Sequence, residues 1–343
     1  MYNRLQKYNT SCENNRLLEH NFTVLKVHLK IESFYSEKPI LLTIGTFDGV
    51  HAGHRAVIDV LKEKANKING ETALLTFAPH PRVVLHPDNH NLRLLNTMSE
   101  KQALLENSGL DHLIIAHFDL SLARLTPLEY ARKLLAEGIK PTEIVIGDDH
   151  RFGRNREGEF NNLKEMGTMF NFNVTALEAE KVSDVRVSST KVRTAISEGR
   201  VHHAKELLTH YFPLSGLVVQ GDKLGSTIGF PTANIKLEDE IKIVPKEGVY
   251  VVWARINEGE WMKGMMNIGC RPSVVKTEIG ETSIEVHLIG YEGDCYGKNV
   301  DVRFVKRLRD EKKFDGLTEL KAALNKDKNK ALEILKDQSA PIL

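Results

Sequence analysis

Two histidines three residues apart close the glycine-rich string Leu41-Leu-Thr-Ile-Gly-Thr-Phe-Asp-Gly-Val-His-Ala-Gly-His54. At positions i and i+3, His51 and His54 share one face of a helical first turn and can donate to phosphate oxygens whose charge grows during nucleotidyl transfer. Gly45, Gly49 and Gly53 remove Cβ atoms where a backbone must turn or admit a ligand. The orphan N–H groups of the helix that follows favour an anion. Asp48 is placed to cap the turn. The bland alternative is a glycine-rich turn with two surface histidines.

Three further stretches of the first half carry chemistry. Thr76-Phe-Ala-Pro-His-Pro81 stops a strand with two prolines and holds His80 at its C-terminal edge. Gly147-Asp-Asp-His-Arg-Phe-Gly153 is rich in charge for a turn, and alone it reads as a solvated loop. Val187-Ser-Ser-Thr-Lys-Val-Arg193 opens a helix with Ser188 or Ser189 as N-cap, and its hydroxyls with Arg193 also suit an oxyanion clamp.

In the second half, Gly221-Asp-Lys-Leu-Gly-Ser-Thr-Ile-Gly-Phe-Pro-Thr-Ala-Asn234 falls short of a P-loop, because Asp222 interrupts Gly-Lys and no helix follows. Gly225 and Gly229 allow a loop over phosphates. Thr232 and Asn234, two residues apart on an extended chain, present hard oxygen ligands suited to Mg²⁺ with bound ATP. Glu285 is a carboxylate in an otherwise apolar strand, which taken alone is usually a surface residue.

Together these strings resemble the bacterial bifunctional riboflavin kinase/FAD synthetase family. The first contains the H-x-G-H signature of nucleotidyltransferases, and the string from Gly221 to Asn234 resembles the riboflavin kinase signature. The resemblance covers about residues 22–325. It implies that Gly45, Phe47, Asp48, Gly49, Gly53, Ser188, Ser189, Thr190 and Arg193 bind nucleotide or phosphate in the first module, with His51 and His54 catalytic. Gly221, Lys223, Gly225 and Gly229 would do so in the second. It further implies flavin contacts at Phe77, His80, Pro81, Asp149, Phe152, Arg271 and Arg309, a metal held by Thr232 and Asn234, and Glu285 as the base on the ribityl 5′-hydroxyl. Met266-Asn-Ile-Gly-Cys-Arg-Pro-Ser273 and Arg309-Asp-Glu-Lys-Lys-Phe314 resemble two more kinase elements. His150 stands where the family pattern has Phe, adding a phosphate or flavin contact. The substrates implied are riboflavin, FMN and ATP, with Mg²⁺ as cofactor. The alternatives are one live module only, or a flavin-binding regulatory protein that has lost the chemistry.

The elements needed to position these residues are legible as patterns. Residues 55–69 repeat Val57, Ile58, Val60, Leu61 and Ala65 at helical spacing, between strands expected to end at Ile44 and to span 71–77. Helices at 99–107 and 127–135 alternate with strands at 112–117 and 143–146. Strict alternation predicts an α/β, Rossmann-like domain, a parallel sheet with helices on both faces and ligands beyond the C-terminal strand ends. After a linker at 212–215, short strands at 217–220, 249–256, 261–268, 283–288 and 300–304 predict a small antiparallel β-barrel. Separate helices at 317–323 and 330–335 close the chain. The expected units are a disordered 1–21, an FMN adenylyltransferase domain at 22–212 and a riboflavin kinase domain at 213–343.

With 343 residues the chain can bury two cores. A formal net charge of +1 gives no nucleic-acid footprint. Cys12, Cys270 and Cys295 form neither metal-ligand spacing nor a disulfide framework, which fits a reducing cytoplasm. No apolar run approaches the roughly 20 residues of a membrane span. A monomer or weak homo-oligomer is expected.

Overall fold

The computed structural model of the chain describes residues 24–88, 91–147, 150–177, 187–221, 224–270 and 282–341. The expectations for residues 1–21, Asp149, Lys223 and Arg271 lie outside them.

The first module runs β1 (Lys26–His28), β2 (Ile40–Ile44), α1 (Ala52–Lys67), β3 (Glu71–Ala78), α2 (Pro81–Leu85), α3 (Met98–Glu106), β4 (His112–His117), α4 (Leu120–Ala123) and α5 (Pro127–Tyr130). α5 widens into a π-helix, Ala131–Ile139, and β5 (Glu143–Gly147), α6 (Phe160–Phe170) and β6 (Asn173–Leu177) follow. Its six strands are parallel in the order β1-β4-β3-β2-β5-β6. Every residue of β2 is buried, because both faces are covered. Ile40, Leu42 and Ile44 pack with Tyr130, Leu134, Leu135 and Leu163 on one face, and Leu41 packs with Leu61 and Ala65 of α1 on the other. Each of these leucines and isoleucines contributes about 1.5–3 kcal/mol by burial. Chain order reverses across β2 and β5, so a crevice opens beyond their C-terminal ends. β1 and β6, three and five residues long, are edge strands that the strand patterns above do not include.

Next come α7 (Ser189–Ser197) and α8 (Val201–Leu208), then β7 (Phe212–Val219), α9 (Leu224–Thr227), β8 (Ala233–Leu237), β9 (Gly248–Ile256), β10 (Met262–Cys270), β11 (Thr282–Leu288), β12 (Asn299–Arg309) and α10 (Leu317–Ile334). The six strands close a barrel in the order β10-β11-β8-β7-β12-β9. Residues 212–215 are therefore no linker, for they pair with Asp301 to Phe304 of β12. The proline and serine that suggested a break sit within the strand, Ser215 Oγ donating to Asp301 at 2.7 Å. Val192, Ala195 and Ile196 of α7 and Ala204 and Leu208 of α8 share one core with Phe212, Tyr250 and Phe304 of the barrel. The two helices expected at the end are a single helix. The intervening polar stretch holds no glycine or proline, and its Asp327 is buried beneath Arg309.

Candidate functional site

Two sites emerge, one in each module. In the first, the backbone leaving β2 turns sharply, with Phe47 at φ 46° and Val50 at φ 40° on either side of Gly49 at φ 95°. Positive φ on a β-branched or aromatic residue costs roughly 1–3 kcal/mol and persists only where packing enforces it, which is common at functional sites. Packing does so here: Val50 is fully buried, and a Cβ on Gly49 would lie 2.7 Å from Leu95 Cδ1.

The turn delivers a stack of three rings. Phe47 lies 4.3 Å from His54, which lies 3.7 Å from His51. The His51 side chain caps α1, its Nδ1 accepting from His54 N at 3.4 Å. That acceptor role leaves the ring proton on Nε2. Burial holds His54 well below the ordinary histidine value, helped by neighbouring His51 and Lys101. A neutral ring stacks without charge repulsion and still donates through one N–H. His54 Nδ1 is buried with no hydrogen-bond partner among the described residues.

Asp48, expected to cap the turn, is buried elsewhere. Its carboxylate accepts from Leu95 N at 2.9 Å, from Asn96 N at 3.2 Å and from Arg193 Nη2 at 2.5 Å. Ser189 Oγ donates to Asp48 O at 2.8 Å, and Arg193 Nε donates to Arg93 O at 2.7 Å. Ser188 is the N-cap of α7, and Thr190 faces solvent one residue into it. His80 caps α2 ahead of Pro81, accepting from Arg82 N at 3.1 Å. Burial pushes its ring down to about 4, against the opposing pull of Asp48. Half-buried Phe77 meets Phe118 edge to face. Gly45 ends the sheet ladder, donating to Leu75 O, and Gly53 lies in the first turn of α1. Phe152, expected on the flavin, is only 5% exposed and packs against Tyr130, 5.4 Å between ring centres. His150 stacks on Phe152 at 6.2 Å.

In the barrel, β8 and β11 pair so that Asn234 lies opposite Glu285, and Thr232 Oγ1 donates to Glu285 Oε2 at 3.0 Å. Cross-strand neighbours share a face, so hydroxyl, amide and carboxylate converge there. A Cβ on Gly221 would lie 2.0 Å from Asn234 Nδ2, so a larger residue there would displace the Asn234 amide. Gly225 begins the turn through α9, and Gly229 completes it at φ 83°.

A family model described as FAD synthetase matches residues 34–191, and one described as riboflavin kinase matches 208–335. A bifunctional riboflavin kinase/FMN adenylyltransferase of Escherichia coli (strain K12) is 38% identical over 293 residues, 85% of this chain and 92% of that protein. The chain belongs to the bifunctional riboflavin kinase/FMN adenylyltransferase family. A relative of the same description from Listeria monocytogenes is 34% identical over 287 residues, 84% of this chain and 90% of that one. A crystal structure from Streptococcus pneumoniae, described as a macrolide-efflux protein, superposes with a TM-score of 0.80 at 28% identity, covering 92% of this chain and all of that one.

Two further side chains stand at the sites. Lys101 is 7% exposed and donates to Thr46 O at 2.7 Å, behind the histidine stack. Burial lowers its ammonium, Asp48 opposing. Its sequence neighbours read only as a short, largely polar helix, so nothing local marks it. Asn267 lies opposite Glu285 in β10 and reaches Glu311 at 3.4 Å. Both residues sit inside motifs already singled out. Arg309, expected on the flavin, grips Asp327 of α10 through Nε at 3.0 Å and Nη2 at 2.8 Å, with Phe314 beside it.

Proposed function

We propose that the barrel transfers the γ-phosphoryl group of ATP to the 5′-hydroxyl of riboflavin, giving FMN. The first module then joins FMN to the adenylyl group of a second ATP, giving FAD and pyrophosphate. The observation that carries this reading is the Glu285 carboxylate, half-buried and accepting from Thr232 with Asn234 opposite in register. Glu285 takes the proton of the attacking hydroxyl. In the first module, the N–H groups of His51 and His54 and the start of α1 face the α-phosphate as charge builds between it and the leaving pyrophosphate. The helix start at Ser188 supplies further donors to the polyphosphate.

Thr232 and Asn234 fit Mg²⁺ held jointly with substrate phosphates. Among the described residues no cluster of His, Cys, Asp and Glu could hold a metal by itself, whereas the hydroxyl and amide oxygens are hard donors beside one carboxylate. When bound, the ion neutralises charge on the β- and γ-phosphates.

The test is purified protein with riboflavin, ATP and Mg²⁺, separating FMN and FAD over time. FMN should appear first and FAD after it. Glu285→Gln should lower FMN formation on the order of 10²–10⁴-fold, while FAD synthesis from supplied FMN persists. An equal fall in both would make Glu285 a structural residue.

A further inference from the structure

The stretch from Leu94 to Thr97 belongs to the first module by sequence, yet its two edges face different modules. On one edge, Leu95 N and Asn96 N hold the Asp48 carboxylate, and Asp48 holds Arg193. On the other, Leu94 N donates to Ile241 O at 2.7 Å and Ile243 N donates to Leu94 O at 2.8 Å, so the stretch pairs like a strand with a segment of the barrel module. Lys242 lies between those two bonds. Its ammonium donates to Leu95 O at 2.6 Å, to Glu100 Oε2 at 2.5 Å and to Pro213 O at 2.9 Å. Three donors therefore meet three acceptors, with the two charged side chains 1% and 2% exposed. Glu100 also accepts from Thr97 N at 3.0 Å and, through its second oxygen, from Ser215 N at 2.9 Å.

We propose that Lys242 is a positioning residue for adenylyl transfer: from the barrel module it fixes the Leu95 peptide, and through that peptide the Asp48–Arg193 pair of the other module. The chain of contacts is short and rigid. Lys242 sets the carbonyl of Leu95 and with it the Asn96 N–H of the same peptide plane, while Ile243 N holds the Leu94 carbonyl of the adjoining peptide that carries the Leu95 N–H; the two N–H groups orient a carboxylate whose remaining bond aims Arg193 at the phosphate crevice. A neutral side chain at 242 leaves the Leu95 carbonyl without its cation and frees the peptide to tilt. Misplacement of about 1 Å from a distant change is enough to cost on the order of 10²-fold in rate. The proposal rests on the adenylyltransferase reading above.

The test uses the full chain as Lys242→Met and as Lys242→Met/Glu100→Gln. The single change buries an uncompensated carboxylate and lowers the thermal midpoint, whereas the double removes that charge and recovers much of the loss. In both, turnover of FMN to FAD should fall on the order of 10- to 100-fold, chiefly in kcat, while riboflavin phosphorylation at Glu285 holds. Wild-type protein that makes no FAD from FMN would sink the adenylyltransferase reading itself. If wild type makes FAD and the double variant makes it as fast, Lys242 positions nothing. Loss of both activities in step with the midpoint, or failure of both variants to fold, would make the pair a fold determinant only and overturn the proposal.

Discussion

At the scale of single residues, His54 combines two roles that one substitution can separate. Its ring is the middle of the Phe47–His54–His51 stack, and aromatic contacts of this kind are worth about 0.5–1.5 kcal/mol beyond burial. Its N–H is the donor proposed for the transition state. His54→Phe keeps the stack and removes the donor. The thermal midpoint should stay near wild type, and conversion of FMN to FAD should drop about 10²–10³-fold, with the kinase untouched. His54→Ala should lose both the donor and the stack, lowering the midpoint as well. Unimpaired FAD synthesis by His54→Phe would reduce this histidine to packing.

At the scale of elements, the last helix is tied to the barrel by one buried carboxylate. Ala331 of α10 and Leu335 just after it cover Trp253 and Met265, and Asp327 anchors the helix to Arg309 at the end of β12. Arg309 also leads into the segment whose Glu311 meets Asn267, the register partner of Glu285, so the same ion pair orders one wall of the proposed kinase site. Asp327→Ala strands a partly solvated guanidinium and removes two charged hydrogen bonds, about 1–3 kcal/mol in all. The expected result is a lower thermal midpoint and weaker riboflavin phosphorylation, with FAD synthesis from FMN retained. Measuring all three separates the anchor from a direct flavin contact, which would reduce kinase activity at an unchanged midpoint.

At the scale of the whole molecule, the modules are joined through buried polar groups as well as through α7 and α8. His210 lies at this junction, its ring nitrogens 3.0 Å from Tyr211 O and 3.1 Å from Gly49 O. Burial pushes it down to about 4, although both carbonyls favour the charged ring. The sign follows from linkage: the unfolded chain takes up the proton near pH 6.5, the folded chain only near 4. The stability this residue supports is complete above about pH 6.5 and is lost as pH falls towards 4. His210→Gln, which keeps an N–H donor but does not titrate, should lose less thermal midpoint over that window than wild type does. Superimposable pH profiles would refute the assignment.

The types and spacings of residues by themselves determined most of the fold class, and the chemistry followed from the family that the strings they form resemble. Glycines, histidines and hydroxyls act through local geometry: His51 and His54 share a helical turn and Ser188 caps one, as their spacing requires. The strict turn of strand and helix likewise specified a parallel sheet, and the run of short strands with little helix between them specified a barrel. Only the tertiary structure decided where charges go. Asp48 reads as a cap in sequence, but it pairs with Arg193, 145 residues away, because a buried carboxylate needs donors and the folded chain brings them. Lys101 and Lys242 sit in ordinary polar text, Arg309 in a solvated-looking charge run, and Phe152 in a motif. Each took its role from what lay across the packed interior, which no local spacing encodes.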